Sequence, residues 1–163
     1  MEFFRTKRLI IRNVEEKDVP VIYDYRNSEL CARYQRGQVR ELNEIKALVE
    51  NRKNDVISAH RACMLAVALR ERDEMVGEIN VLPAEDCISL GYTVSYKYHR
   101  QGFAFEALST LIERLHAAYP NFEFISFTEP ENQASMALLQ KLGYVYLGYS
   151  EKLDSEIYGK WVK

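Results

Sequence analysis

A mixed α/β fold, α+β in its layering and built on one mostly antiparallel sheet, is what this sequence predicts. Three observations predict it. The hydrophobic period changes from helical to strand-like near residue 61 and returns to helical after residue 102. The strand-like middle falls into three consecutive runs joined by short polar breakers, as in an antiparallel meander. A strong helix then precedes the next strand-like run, which calls for a crossover connection between Val94 and Phe127. One domain over residues 1–163, with about seven strands and about four helices, accounts for the chain.

Taken in order, Leu9–Asn13 (LIIRN) is short and rich in β-branched residues, which suits a strand. Glu15–Arg26 places Val19, Ile22 and Tyr23 on one helical side, and Pro20 within it favours a start beyond Glu15. Glu41–Lys53 sets Leu42, Ile45, Leu48 and Val49 at amphipathic spacing, a second helix. Arg61–Leu69, Met75–Val81 and Cys87–Val94 form the meander, with Arg70–Glu74 as one turn and the breaker Pro83–Asp86 as the other. From Gly102 onward, Phe103, Ala104, Ala107, Leu108, Leu111, Ile112 and Leu115 make a continuous apolar stripe, the clearest helix in the chain. Phe122–Phe127 is a strand, and Asn132–Leu142 a helix ended by Gly143. Tyr144–Tyr149 and Ile157–Val162 complete the sheet.

Composition narrows the function. Hydrophobic residues at 47% and charged residues at 28% are those of an ordinary folded protein. With 22 basic and 24 acidic residues the net charge is −2, which argues against a nucleic-acid binder relying on bulk positive charge. Cys31, Cys63 and Cys87 share no metal-ligand spacing, and their odd number fits no disulfide framework. No metal site is expected, and the reducing cytoplasm is the expected location. No run of apolar residues is long enough to span a membrane, and MEFFRTKRLIIRN lacks the features of a signal peptide.

Two segments carry chemistry. His99–Ala107 (HRQGFAFEA) joins a strand to the strongest helix, and the free N–H groups of a helix start favour phosphate. Gly102 lets the backbone come close to a ligand there, and Arg100 offers a charge-assisted hydrogen bond. Alone, this segment reads more simply as a strand-to-helix turn. Some 30 residues later, Asn132 reads as a helix cap with Ser135 one turn inside.

Together the two segments resemble the GNAT superfamily of N-acetyltransferases. That superfamily carries a loop of pattern Q/R-x-x-G-x-G/A, here His99–Ala104, after a strand ending in Val94-Ser95-Tyr96. Its second motif is matched by Asn132, Ser135, Leu142, Gly143 and Tyr144. The opening Thr6–Val19 and the block Ser89–Leu108 are similar to the Rim-type branch, the ribosomal-protein N-terminal acetyltransferases. The resemblance implies a sheet splayed at an acetyl-CoA site and direct acetyl transfer to a primary amine. The acceptor it implies is a protein N-terminus or a small-molecule amine.

By the same resemblance, Val94, Ser95 and Tyr96 at the strand end would hold the pantetheine arm. Arg100, Gln101, Gly102, Phe103, Ala104 and Phe105 would cradle the pyrophosphate, and Asn132 would bind the pantetheine. Ser135 would approach the sulfur, because the position where many relatives place a proton-donating tyrosine is Leu139. A general base is expected as well. The branch's Glu position is Ser89, which leaves Glu78 as the nearest acid, or Tyr92 acting through a water. A solvent-edge strand residue is the simpler reading of Glu78. The segment Asn27–Glu41, with Arg33, Tyr34, Arg36 and Arg40, is expected to shape the acceptor slot, mostly as a solvated loop. A monomer, or a homodimer through the terminal strands, is expected. The competing reading is a catalytically weak acyl-CoA-binding regulatory module.

Overall fold

The computed structural model describes residues 1–163. Its single sheet has eight strands: β1 (Glu2–Arg5), β2 (Leu9–Asn13), β3 (Cys63–Leu69), β4 (Met75–Ala84), β5 (Cys87–Val94), β6 (Glu123–Thr128), β7 (Val145–Ser150) and β8 (Ser155–Lys160). Their spatial order is β1-β2-β3-β4-β5-β6-β8-β7. Every neighbouring pair is antiparallel except β5 and β6, which are parallel and joined through α4 (Phe103–Ala118), the expected crossover. The other helices are α1 (Val19–Arg26), α2 (Glu29–Ala32), α3 (Leu42–Arg52) and α5 (Gln133–Lys141). No helix is long and apolar enough to cross a membrane.

Strand β3 explains the two-layer build. Its residues are buried on both faces, so its sequence is a continuous apolar run rather than an alternating one. Cys63, Leu65 and Val67 belong to the larger core, with Phe103, Leu108, Leu111 and Leu115 of α4 and Leu139 of α5. Met64 and Ala66 point the other way, into a second core with Ile22 and Tyr25 of α1 and Ile45 and Val49 of α3. Opposite faces of one strand thus hold the two helical layers.

The structure corrects several boundaries. β1 supplies an eighth strand, and α2 a short fifth helix inside the segment expected to be a loop. The first helix starts at Val19, after a 3₁₀ turn at Glu16–Asp18, and Pro20 sits in its first turn, where no backbone N–H is needed. Arg12 fixes this start by donating 2.8 and 3.0 Å hydrogen bonds to the buried Asp18 carboxylate.

Pro83 does not break β4, which runs on to Ala84 and turns at Glu85–Asp86. Ser95 N–H donates to Val76 O, and alternation along this register turns the Pro83 nitrogen away from β5. On that side β3 has already ended, its last partner being Val81, so no ladder bond is lost.

Candidate active site

Strands β5 and β6 are paired only at Cys87↔Glu123 and Ile88↔Phe124, and beyond that they part. Ser89 Oγ donates to Ile125 O at 2.7 Å at the fork. The same alternation that bonds Ser95 to β4 turns the backbone groups of Leu90, Tyr92 and Val94 toward the opening. The Tyr92 carbonyl accepts from Gln35 Nε2 at 3.2 Å. The Val94 carbonyl accepts from the Cys31 thiol at 3.4 Å and lies 2.8 Å from His99 Nε2. The Tyr92 and Val94 N–H groups face the cleft as donors for an extended ligand. Gly77 lets β5 end this close to β4, since a Cβ there would stand 2.4 Å from Thr93 O.

After Val94 the chain makes a 3₁₀ turn over Tyr96–Tyr98, capped by Ser95 Oγ accepting from Lys97 N–H at 3.3 Å. His99, which departs from the Q/R of the motif, closes the loop back onto Val94. Arg100 and Gly102 then take left-handed conformations with φ of 62° and 78°. A Cβ on Gly102 would meet only Arg8 Nη2, at 3.5 Å, so glycine is required there by the backbone angle rather than by space. The N–H groups of Phe103, Ala104 and Phe105 begin α4 without intrahelical partners. This is a nest of donors suited to a diphosphate.

Glu106, in the same turn, ties α4 to the start of the chain. Burial opposes its ionisation, but hydrogen bonds from Thr6 and Arg8 outweigh burial and hold the carboxyl below its usual range. Arg8 donates to it from the backbone at 3.0 Å and from Nε at 2.8 Å.

Not every expected contact faces the cleft with its side chain. A cavity of about 430 Å³ is lined by Val94, His99, Arg100, Ala104, Asn132 and Ser135, with Leu30, Cys31 and Leu138 among its apolar walls. Ser95 is buried within the turn, and the Tyr96 hydroxyl donates to Asp24 of α1 at 3.2 Å. Phe103 packs into the core under the Arg8 guanidinium, and Phe105 carries Lys141 Nζ 4.2 Å from its ring centre. Gln101 lies outside this cavity, beside Arg5, Lys7 and Arg8. Ser95 and Tyr96 therefore shape the turn. Gln101, Phe103 and Phe105 offer the cleft their backbone only.

A second cavity of about 240 Å³ continues past the first, toward Phe127, Thr128, Glu129 and Ser155. Tyr34, Gln35, Tyr92, Asn132 and Ser135 line both cavities, which makes one cleft with two arms. At the junction, the Tyr92 and Ser135 hydroxyls are 3.0 Å apart. Asn132 caps α5 by accepting from Ser135 N–H at 3.2 Å, which fixes the serine at the junction. Burial raises the Tyr92 phenol above its ordinary pKa, with Ser135 pulling weakly the other way. Leu139 is buried in the core, and Tyr92 brings from the sheet the phenol that α5 lacks.

Glu78 occupies neither the solvent edge nor the cleft. It is 1% exposed. Tyr25 donates to its carboxylate at 2.6 Å, Arg26 at 3.0 and 2.8 Å, and Asn80 at 2.8 Å. A carboxylate saturated by a guanidinium and two further donors is poorly placed to take a proton from an amine, and we assign it no catalytic role. Its partner Arg26 also donates to Val39 O at 3.1 Å, anchoring the segment Asn27–Glu41. That segment is a strap rather than a solvated loop. Tyr34 donates to Glu131 O at 3.3 Å, and Arg36 reaches Glu129, Leu153 O and Asp154 O. Sequence spacing gave no sign of these contacts, because each joins segments far apart in the chain.

A sheet parted between two parallel strands, with a helix start at the mouth of the gap, offers an extended, phosphate-bearing ligand a row of backbone donors. The acetyltransferase (GNAT) domain matches residues 8–145, and the chain belongs to that family. It is an acetyltransferase, and acetyl-CoA is its cosubstrate. Among curated relatives, the uncharacterized N-acetyltransferase YnaD of Bacillus subtilis is 28% identical over 90% of this chain and 85% of its own length. The uncharacterized N-acetyltransferase p20 of Bacillus licheniformis is 25% identical over 88% and 83%. The fold is shared with a GNAT-family acetyltransferase from Bacillus anthracis, at TM-score 0.82, 22% identity, and coverage of 98% and 96%. It is shared too with RimL, a ribosomal L7/L12 α-N-protein acetyltransferase solved with coenzyme A, at TM-score 0.81, 17% identity, and coverage of 98% and 97%.

Proposed function

We propose that residues 1–163 form a single N-acetyltransferase domain that moves an acetyl group from acetyl-CoA to a primary amine by direct attack in a ternary complex. The two-armed cleft meeting at Tyr92 and Ser135 carries this reading. Pantetheine lies along the arm lined by Val94, Ala104, Asn132 and Leu138, with the diphosphate on the N–H groups between Gln101 and Phe105. The acceptor enters the other arm, beneath the strap. Val94 N–H polarises the thioester carbonyl, and the amine nitrogen bonds to its carbon. The C–S bond then breaks, and the leaving thiolate takes a proton from Ser135, which the Tyr92 hydroxyl can resupply. An acceptor that arrives as an ammonium gives one proton to water before it attacks and a second as the C–S bond breaks, and solvent returns a proton to Tyr92.

The acceptor is a protein N-terminus or a small-molecule amine, and the resemblance to the Rim-type branch supports the first. The chain's three free cysteines agree with a reducing compartment, and we place the enzyme in the cytoplasm. It acts as a monomer or as a homodimer through the terminal strands.

The test is acetyl-CoA-dependent thiol release with a panel of amines, namely short peptides with free Ser, Ala or Met N-termini, spermidine and tyramine. Release that requires an amine, with acetylated product by mass spectrometry, is the expected result. Acetyl-CoA binding without turnover on any amine would instead favour the regulatory module.

A further inference from the structure

Arg36 and Glu129 are the only charged side chains lining the acceptor arm. They face each other, with Arg36 Nε donating to Glu129 Oε1 at 2.6 Å. The other carboxylate oxygen of Glu129 has no protein partner, and the side chain keeps 27% of its exposure. Arg36 Nε and Nη2 both meet Glu129 Oε1, and the guanidinium has further anchors, since Nη1 donates to Leu153 O at 3.0 Å and Nη2 also to Asp154 O at 3.2 Å. It can release Glu129 without leaving the turn between β7 and β8. A second polar group marks the same arm: Thr128 is 5% exposed and its hydroxyl has no hydrogen-bond partner.

A primary amine arrives at neutral pH as an ammonium. The acceptor arm offers it one acid, and that acid is occupied by a cation of the protein's own. We propose that Glu129 is the docking carboxylate for the acceptor ammonium, and that Arg36 is a stand-in cation which the acceptor displaces. This inference rests on the acetyltransferase reading above and names how its acceptor is recognised. Exchange of one cation for another keeps Glu129 paired throughout, while the released Arg36 stays on the carbonyls of the turn with its exposed side open to solvent. An exposed ion pair of this kind is weakly held, so the exchange is easy. Acceptors with a free, protonated amine near a slim end are selected. Amides and alcohols of the same shape are not.

The test uses the full chain with CoA bound, and two probes, n-butylammonium chloride and the uncharged 1-butanol. Saturation-transfer NMR should show butylammonium on the wild type and little butanol. Glu129→Gln should weaken butylammonium binding by roughly tenfold to a hundredfold, and Glu129→Asp should restore part of it. Arg36→Gln, which removes the competing charge along with the bonds to the two carbonyls, should tighten it. In turnover, Glu129→Gln should raise the KM of the panel amines while the acetyl-CoA KM stays in place. Butylammonium binding unchanged by Glu129→Gln, or weakened equally by Arg36→Gln, would overturn the proposal and leave the pair as a structural clamp. Loss of acetyl-CoA binding or turnover in the wild type would be a failure of the acetyltransferase reading itself, which the NMR arm separates from this one.

Discussion

Replacing Ser135 by alanine should lower turnover by about 10²–10⁴-fold while acetyl-CoA binds as tightly as to the wild type. The serine sits where the two arms meet, held by the Asn132 cap and 3.0 Å from the Tyr92 hydroxyl. Under the proposed mechanism, removing it takes the proton donor from the leaving thiolate and leaves the free N–H groups at the start of α4 untouched. Tyr92→Phe should cost less, because the serine remains and water can resupply its proton. The double variant should be little worse than Ser135→Ala alone, as expected of two groups acting in one chain. Because burial raises the Tyr92 phenol, that group stays protonated through neutral pH and adds no limb to the pH–rate profile there. Steady-state kinetics with acetyl-CoA and the best panel amine reads all three effects. Unchanged turnover in Ser135→Ala would remove the serine from the chemistry.

Glu78→Ala should destabilise the fold by roughly 3–5 kcal/mol. The substitution leaves the Arg26 guanidinium, 5% exposed, without its counter-charge, and strands the Tyr25 hydroxyl as well. Urea unfolding would report the loss as a lower midpoint with little change in slope. Glu78→Gln keeps an acceptor for Tyr25 and should unfold less readily than the alanine variant. If Glu78 is structural, Glu78→Gln must also leave the position of the pH–rate profile unchanged. A profile that lost its acid limb in this variant would return the general-base role to Glu78.

Strand and helix content was legible where one period dominated. The stripe from Phe103 to Leu115 and the β-branched LIIRN segment each lie within a single element. Boundaries failed where local chemistry was settled by neighbours. Pro83 reads as a breaker until the register shows that β3 has ended beside it. The strand β1 is too short to show a pattern, and it exists because β2 offers it an edge.

The shape of the loop at Gly102 was legible because a short motif can encode a left-handed φ and the free N–H groups of the helix start that follows. The acceptor side was not. Glu78 looks like a free acid in MVGEINV, and only the packing of α1 brings Tyr25 and Arg26 onto it. Arg36 looks solvated for the same reason, since Glu129, Leu153 and Asp154 are about a hundred residues away in sequence.

The most direct test of the account is a thermal-shift titration with acetyl-CoA, set against CoA and ATP, on the wild type, Gly102→Val and Ser135→Ala. At about 100 times the dissociation constant, acetyl-CoA should stabilise the native wild type by roughly 2.7 kcal/mol. Valine cannot hold a φ of 78° without strain, so Gly102→Val should distort the nest and lose the shift. Ser135→Ala should keep it. A wild type that gains nothing from acetyl-CoA, or a Gly102→Val that folds and gains as much as the wild type, would contradict the cofactor site on which the account stands.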